Sequence, residues 1–235
     1  NSKIDIYPVI NLNIDYILDN SEFHGSLNLP GQINLSSLDD VSLYLKKMID
    51  EAYIQLYFNG FNIETGYVKT IWGKGNKFFT FDNINALDYT DFLNPDYIDR
   101  KISEPIVKVS IPYSMQGLIE AVYSPAFTYD IYPSQGEWVM ANSLVRQSED
   151  KYLDNGQLGL RISNSIGGFD IGTSYQFSFF RKQKPDPLEL LDPRDRIHLF
   201  GLETAFVIAA FNIRSELAYY MTKDISGSDI DTFNN

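Results

Sequence analysis

Apolar and polar residues alternate with a period of two over runs longer than an ordinary strand. That restricts much of the chain to β structure with two chemically different faces, because successive side chains on a strand point to opposite sides. Over residues 3–16 the even positions read Ile4, Ile6, Pro8, Ile10, Leu12, Ile14 and Tyr16, while the odd positions include Lys3, Asp5, Asn11, Asn13 and Asp15. Pro8 has no N–H for a ladder bond and suits a sheet edge or a bulge.

Four hairpins follow. Ala52, Ile54, Leu56 and Phe58 alternate with Tyr53, Gln55 and Tyr57 as far as Asn59-Gly60, a strong two-residue turn signal. The return strand puts Phe61, Ile63 and Tyr67 on one face and Asn62, Glu64 and Gly66 on the other. Val107, Val109 and Ile111 alternate with Lys108 and Ser110, and a turn near residues 113–116 leads into residues 118–123. Leu158, Leu160 and Ile162 oppose Gln157, Gly159, Arg161 and Ser163 and turn at Gly167-Gly168. The chain returns through Phe169, Ile171, Tyr175, Phe177 and Phe179. A last hairpin runs over 197–208, turns near Ala209-Ala210 and returns through Phe211, Ile213, Leu217 and Tyr219.

The turns within hairpins are short, whereas the connections between them, 73–104, 124–155 and 181–196, are long and rich in Asp, Asn, Pro and Gly. Several alternating runs reach about 9–11 residues, the span of a tilted membrane strand, against about 5–6 for ordinary strands. Long strands, short turns on one rim and long loops on the other are the layout of a bacterial outer-membrane barrel. The expectation is therefore an all-β fold of about ten strands. They form an antiparallel up-and-down meander that makes a transmembrane β-barrel, or a large part of one, as a single domain over 1–235. Residues 33–50 fit two patterns: Val41, Leu43 and Leu45 alternate as in a strand, and Val41, Leu45, Met48 and Ile49 also fit a helix face capped by Ser37.

Composition narrows the function. The aromatic share is 14%, with 16 Tyr and 16 Phe, residues favoured in strands and at membrane interfaces. With no cysteine there is no disulfide framework and no thiolate nucleophile or ligand. A formal net charge of -12 repels a phosphate backbone, so nucleic acid is not expected as a partner. No stretch approaches the ~18 consecutive apolar residues of a membrane-spanning helix. The first residues, Asn1-Ser2-Lys3-Ile4-Asp5, lack the features of a signal peptide, so an exported chain would carry its signal ahead of them.

No catalytic, cofactor or metal site is expected. The two histidines are read as surface residues, His24 in a polar turn beside Gly25 and His198 where a strand begins. Neither a Gly-x-Ser-x-Gly elbow nor a His-Glu-x-x-His helix occurs, and Trp72-Gly73-Lys74-Gly75 lacks phosphate-loop spacing. Asp224, Ser226, Ser228, Asp229 and Asp231 offer oxygen ligands without EF-hand spacing, and Asp186, Glu189, Asp192 and Asp195 form a second acidic stretch; both are read as solvated loops. The informative set lies on the polar strand faces: Glu64, Lys108, Glu120, Arg161, Asp170, Glu203, Arg214 and Glu216. In a barrel these line the lumen, since an Arg or Lys at the bilayer midplane costs up to about 2–4 kcal/mol. Mixed charges there tune selectivity or close into a plug of internal salt bridges.

Glu51-Ala52-Tyr53-Ile54, Trp72-Gly73-Lys74-Gly75, Asn94-Pro95-Asp96 and the closing residues Gly201-Leu202-Glu203 and Arg214-Ser215-Glu216-Leu217-Ala218-Tyr219-Tyr220 resemble bacterial outer-membrane barrels of the porin-like and alginate-export-like kind. The likeness covers roughly residues 50–222 and implies passage of small solutes through the outer membrane. Such barrels usually close on an aromatic residue and are commonly longer, whereas this chain stops at Thr232-Phe233-Asn234-Asn235, so a part of a larger barrel is expected. The leading expectation is an outer-membrane pore or transport protein, not an enzyme, whose partners are outer-membrane lipid and small solutes, with a homo-oligomer or other envelope proteins as further candidates. Two alternatives are a structural or adhesin-like barrel displaying tyrosines such as Tyr89, Tyr97, Tyr129 and Tyr132, and a soluble carbohydrate-binding β-sandwich.

Overall fold

A computed structural model describes residues 9–30, 48–75, 79–90, 96–132, 156–179, 181 and 196–222. Among these residues ten strands follow one another: β1 (Val9–Leu18), β2 (Ser21–Pro30), β3 (Ile49–Phe58), β4 (Phe61–Val68), β5 (Glu104–Pro112), β6 (Leu118–Ser124), β7 (Gln157–Ile166), β8 (Phe169–Phe179), β9 (Arg196–Ile208) and β10 (Phe211–Thr222). They form one sheet in which spatial order is chain order and every neighbouring pair is antiparallel. This is the expected up-and-down meander. Among the described residues the sheet is open, with β1 and β10 at its two edges.

The hairpin turns fall where the sequence puts them. At Gly167-Gly168 both residues have positive φ, 59° and 85°, the mirror-image turn whose twist matches that of its flanking strands. Ala209 adopts a φ of 53° in the β9–β10 turn, a conformation that glycine takes more easily.

The register gives each face its chemistry. A line drawn across the ladder joins Gln55, Glu64, Lys108, Val122, Gly159, Gln176, Leu199 and Tyr220. These belong to the face that also carries Glu120, Arg161, Asp170, Glu203, Arg214 and Glu216. The opposite face carries the alternating apolar residues. It is not packed on a second layer among the described residues: Ile10, Ile14, Ile54, Ile162, Ile171, Leu202 and Leu217 are all exposed. Among the described residues the strands form a single sheet, and no second sheet meets those faces.

Two local expectations are corrected. His24 and Gly25 do not form a turn; they lie within β2 and pair with Asp15 and Ile14 of β1. The β4–β5 connection is not an external loop either. Residues 69–103, so far as described, fold back over the polar face and build the hydrophobic core there. Trp72, Phe81 and Ile84 of this segment pack with Val68, Ile106, Val122, Ile197 and Leu199 of the strands. An extended run rich in polar residues does this because it inserts two large aromatic rings opposite glycines. A Cβ at Gly159 would sit 2.7 Å from the Trp72 ring, and one at Gly201 would sit 2.6 Å from the Phe81 ring. Residues 33–47 and the acidic stretches at 186–195 and 224–231 lie outside the described residues.

Candidate functional site: the polar face and the segment folded onto it

Cross-strand pairing places the eight anticipated charged residues on one face and sorts them into three groups. Glu64 and Lys108 are direct neighbours on β4 and β5, with Lys108 Nζ 2.7 Å from Glu64 Oε1. Glu120 and Arg161 are direct neighbours on β6 and β7; Arg161 Nη1 donates to Glu120 Oε2 at 2.7 Å. The same guanidinium reaches Glu203 on β9, donating from Nε at 3.2 Å and also from Nη2. One arginine thus bridges two carboxylates from strands on either side of it, and the fork geometry of guanidinium suits that task. Gly172, between them on β8, leaves the space: a Cβ there would meet the Glu203 carboxylate at 2.4 Å.

Asp170, Arg214 and Glu216 meet the inserted segment instead. Lys74 Nζ lies 3.2 Å from Asp170 Oδ2. Glu216 accepts the N–H groups of Gly75 at 2.5 Å and Thr80 at 2.8 Å, together with the Thr80 hydroxyl at 3.2 Å. Arg214 makes a long bond from Nη1 to the Lys74 carbonyl, 3.4 Å.

Other residues that hold this arrangement were not singled out by pattern. Arg181, just past β8, is buried and gathers four parts of the chain. Its Nη1 and Nη2 donate to Glu104 at 2.9 and 3.1 Å, Nη2 to Gln157 Oε1 at 2.9 Å, and Nε to the Asn83 carbonyl at 2.9 Å. Further bonds reach the Ile84 and Thr128 carbonyls, and the guanidinium stacks 4.8 Å from the Phe127 ring. Asn85 ties both ends of the inserted segment to each other: its carbonyl oxygen accepts Thr70 N–H, and its amide donates to the Val68 and Ile102 carbonyls. Lys101 and Asp82 form an ion pair of 2.7 Å with neither side chain exposed. Burial pushes the Asp82 carboxyl above its ordinary range and the Lys101 ammonium below its own. The sequence signal for these residues is faint, since Arg, Lys and Asp in an aperiodic stretch read as solvated.

The inserted segment also joins residues 125–132. Leu87 N–H donates to Asp130 Oδ1 at 2.8 Å, and Tyr89 stacks on Tyr132 with centroids 4.9 Å apart. Tyr129 is buried against Phe127. Of the four tyrosines named for a display surface, Tyr129 is buried, and Tyr89, Tyr97 and Tyr132 are half-buried. The histidines lie on opposite faces. His24 Nδ1 is 2.5 Å from Asp15 on the polar face, and His198 meets the Tyr175 hydroxyl at 2.8 Å on the apolar one.

The apolar face has its own order. Among the described strands its outward positions carry no Asp, Glu or Lys once past the bulge near the start of β3, where Asp50 turns to Ser26 and Asn28 of the polar face. Its one arginine, Arg196, opens β9 and stacks on the rings of Phe177 and Phe179. Aromatic residues bracket aliphatic ones along several strands: Phe61 and Tyr67 on β4, Phe169 and Tyr175 on β8, Phe206 and Phe200 on β9, Phe211 and Tyr219 on β10. At about 3.4 Å per residue these brackets are about 20–27 Å apart along the strands. The hydroxyls of Thr173 and Thr204, which also point outward, donate to the Gly201 and Asp170 carbonyls at 3.2 and 3.0 Å, so neither is left bare.

No protein-family model, curated protein or solved structure matches this chain, so the likeness to porin-like and alginate-export-like barrels rests on its short motifs alone.

Proposed function

We propose that this chain forms the wall of a bacterial outer-membrane β-barrel and serves as a pore or transport protein for small solutes. The observation that carries the reading is the exposed apolar face, almost free of charge and with aromatics bracketing a belt that a strand tilt of about 35–45° reduces to about 14–22 Å, within the ~25 Å lipid-facing band of a barrel. A soluble protein rarely exposes so large a continuous apolar surface. The paired charges opposite it supply a polar interior. Over β1–β3 that interior keeps Asn11, Asn13 and Asp15 exposed, whereas from β4 to β9 the segment 69–103 covers much of it. Solute would pass along the uncovered part.

The same covering favours a second reading, a barrel closed by its own insertion that acts as an envelope structural element. The two are separated by one preparation. Protein refolded in detergent should migrate faster in electrophoresis unheated than boiled, and should insert into a planar bilayer with discrete ionic conductance. Inserted, heat-modifiable protein that carries no current would favour the structural reading. Protein that stays monodisperse in buffer without detergent would sink both.

A further inference from the structure

We propose that a recess at the short-turn rim of the polar face binds small organic anions that carry a carboxylate on a short hydrocarbon stem; this deepens the pore reading by naming a solute class. The recess has a volume of about 370 Å³ and is bordered by Lys74, Phe79, Asp170, Val207, Asn212 and Arg214. Its distinguishing residue is Arg214. The cations Lys74, Lys101, Lys108, Arg161 and Arg181 each have a carboxylate within 3.2 Å. Arg214 has none among the described residues. Glu216, two positions along the same face of β10, is turned to the backbone of Gly75 and Thr80. Asp170 pairs with Lys74 at 3.2 Å and also feels the Arg214 charge without an ion-pair contact to it. Arg214 is left with one long bond to a carbonyl, which leaves most of its five N–H groups for a ligand.

A guanidinium with spare donors at the edge of a recess is suited to a carboxylate, which it binds through two parallel charge-assisted bonds. The Asn212 amide is beside it on β10. Phe79 and Val207 form an apolar wall, which a hydrocarbon stem covers and a bare inorganic ion does not. The volume fits a molecule of metabolite size.

The probe is succinate, compared with neutral succinamide, titrated calorimetrically at low ionic strength into heat-modifiable full-length protein in detergent. Saturable succinate binding, no binding of succinamide, about tenfold weaker binding in R214Q and partial recovery in R214K are expected; Asp19→Asn, in the β1–β2 turn, should bind normally. Equal binding of the two probes, unchanged affinity in folded R214Q, or no saturable binding by folded wild-type protein overturns the site. Conductance without succinate binding rejects the site and leaves the pore reading standing. Succinate binding without conductance keeps the site and rejects the pore.

Discussion

Lys101 Nζ sits 2.7 Å from Asp82 Oδ2 where neither side chain touches solvent. Both belong to the segment laid over the polar face, so an ion pair lies at the centre of the packing that holds it there. Burial raises the Asp82 pKa and lowers that of Lys101, so each shift weighs against the charged folded state near neutrality. The Asp82 contribution is fully present below the ordinary carboxylate pKa of 3.8 and is lost as pH rises through its elevated folded value. The Lys101 contribution is present above 10.5 and is lost as pH falls through its depressed one. Removing one partner strands the other: K101M should destabilise the protein by about 3–5 kcal/mol, whereas the double variant D82L/K101M should return to within about 1–2 kcal/mol of wild type or exceed it. Urea unfolding of the refolded protein in detergent measures both. A double variant no better than K101M would refute the account.

The contact of Trp72 with Gly159 makes a second prediction. Gly159→Val places carbon where the indole ring lies, and the ring is fully buried. The inserted segment must shift, costing about 1–3 kcal/mol. Tryptophan emission should move to the red; the W138F background isolates the Trp72 signal. Unchanged emission would mean that Trp72 does not occupy that place.

The apolar face offers the most direct test of a lipid environment. Leu202 is exposed in mid-strand on β9, paired with Thr173 and Leu217. Leu202→Arg should cost about 2–4 kcal/mol and reduce folding into lipid vesicles, if this position faces the bilayer midplane. The same arginine on a water-facing surface would change stability by no more than about 0.5 kcal/mol. Vesicle-folding yield, read from the unheated electrophoretic band, separates the two outcomes.

Tyr89 provides a pH-dependent prediction. Burial, reinforced by the nearby Asp130 carboxylate, pushes its hydroxyl up to about 12, although Arg100 works the other way. The stability this contributes is complete below pH 10 and disappears as pH approaches 12. In a spectrophotometric titration of folded protein, the wild-type minus Tyr89→Phe difference should show one phenol titrating near 12. A difference curve centred on 10 would place Tyr89 in water.

The strand pattern could be read from the residues because it is local. Alternation decides which side chain points to which face, and Asn59-Gly60, Gly167-Gly168 and Ala209-Ala210 say where the chain reverses, so four hairpins and all eight polar-face charges were legible. β2 was not, because Gly25 falls where an apolar outward residue should stand and His24 and Ser26 give the stretch the look of a turn. The fate of residues 69–103 was hidden for a different reason. Their partners are far away in sequence: Asn83 bonds to Phe179, Arg181 to Asn83, Glu216 to Thr80. An aperiodic run with Asp, Lys and Asn looks the same whether it is solvated or folded inward, since its polar groups are stable in either place if hydrogen-bonded. Period and turn chemistry thus determined a two-faced antiparallel sheet. Which glycines would make room for Trp72 and Phe81, and which carboxylates would be matched by cations, was decided only when ten strands came side by side, because those contacts arise from register across the sheet.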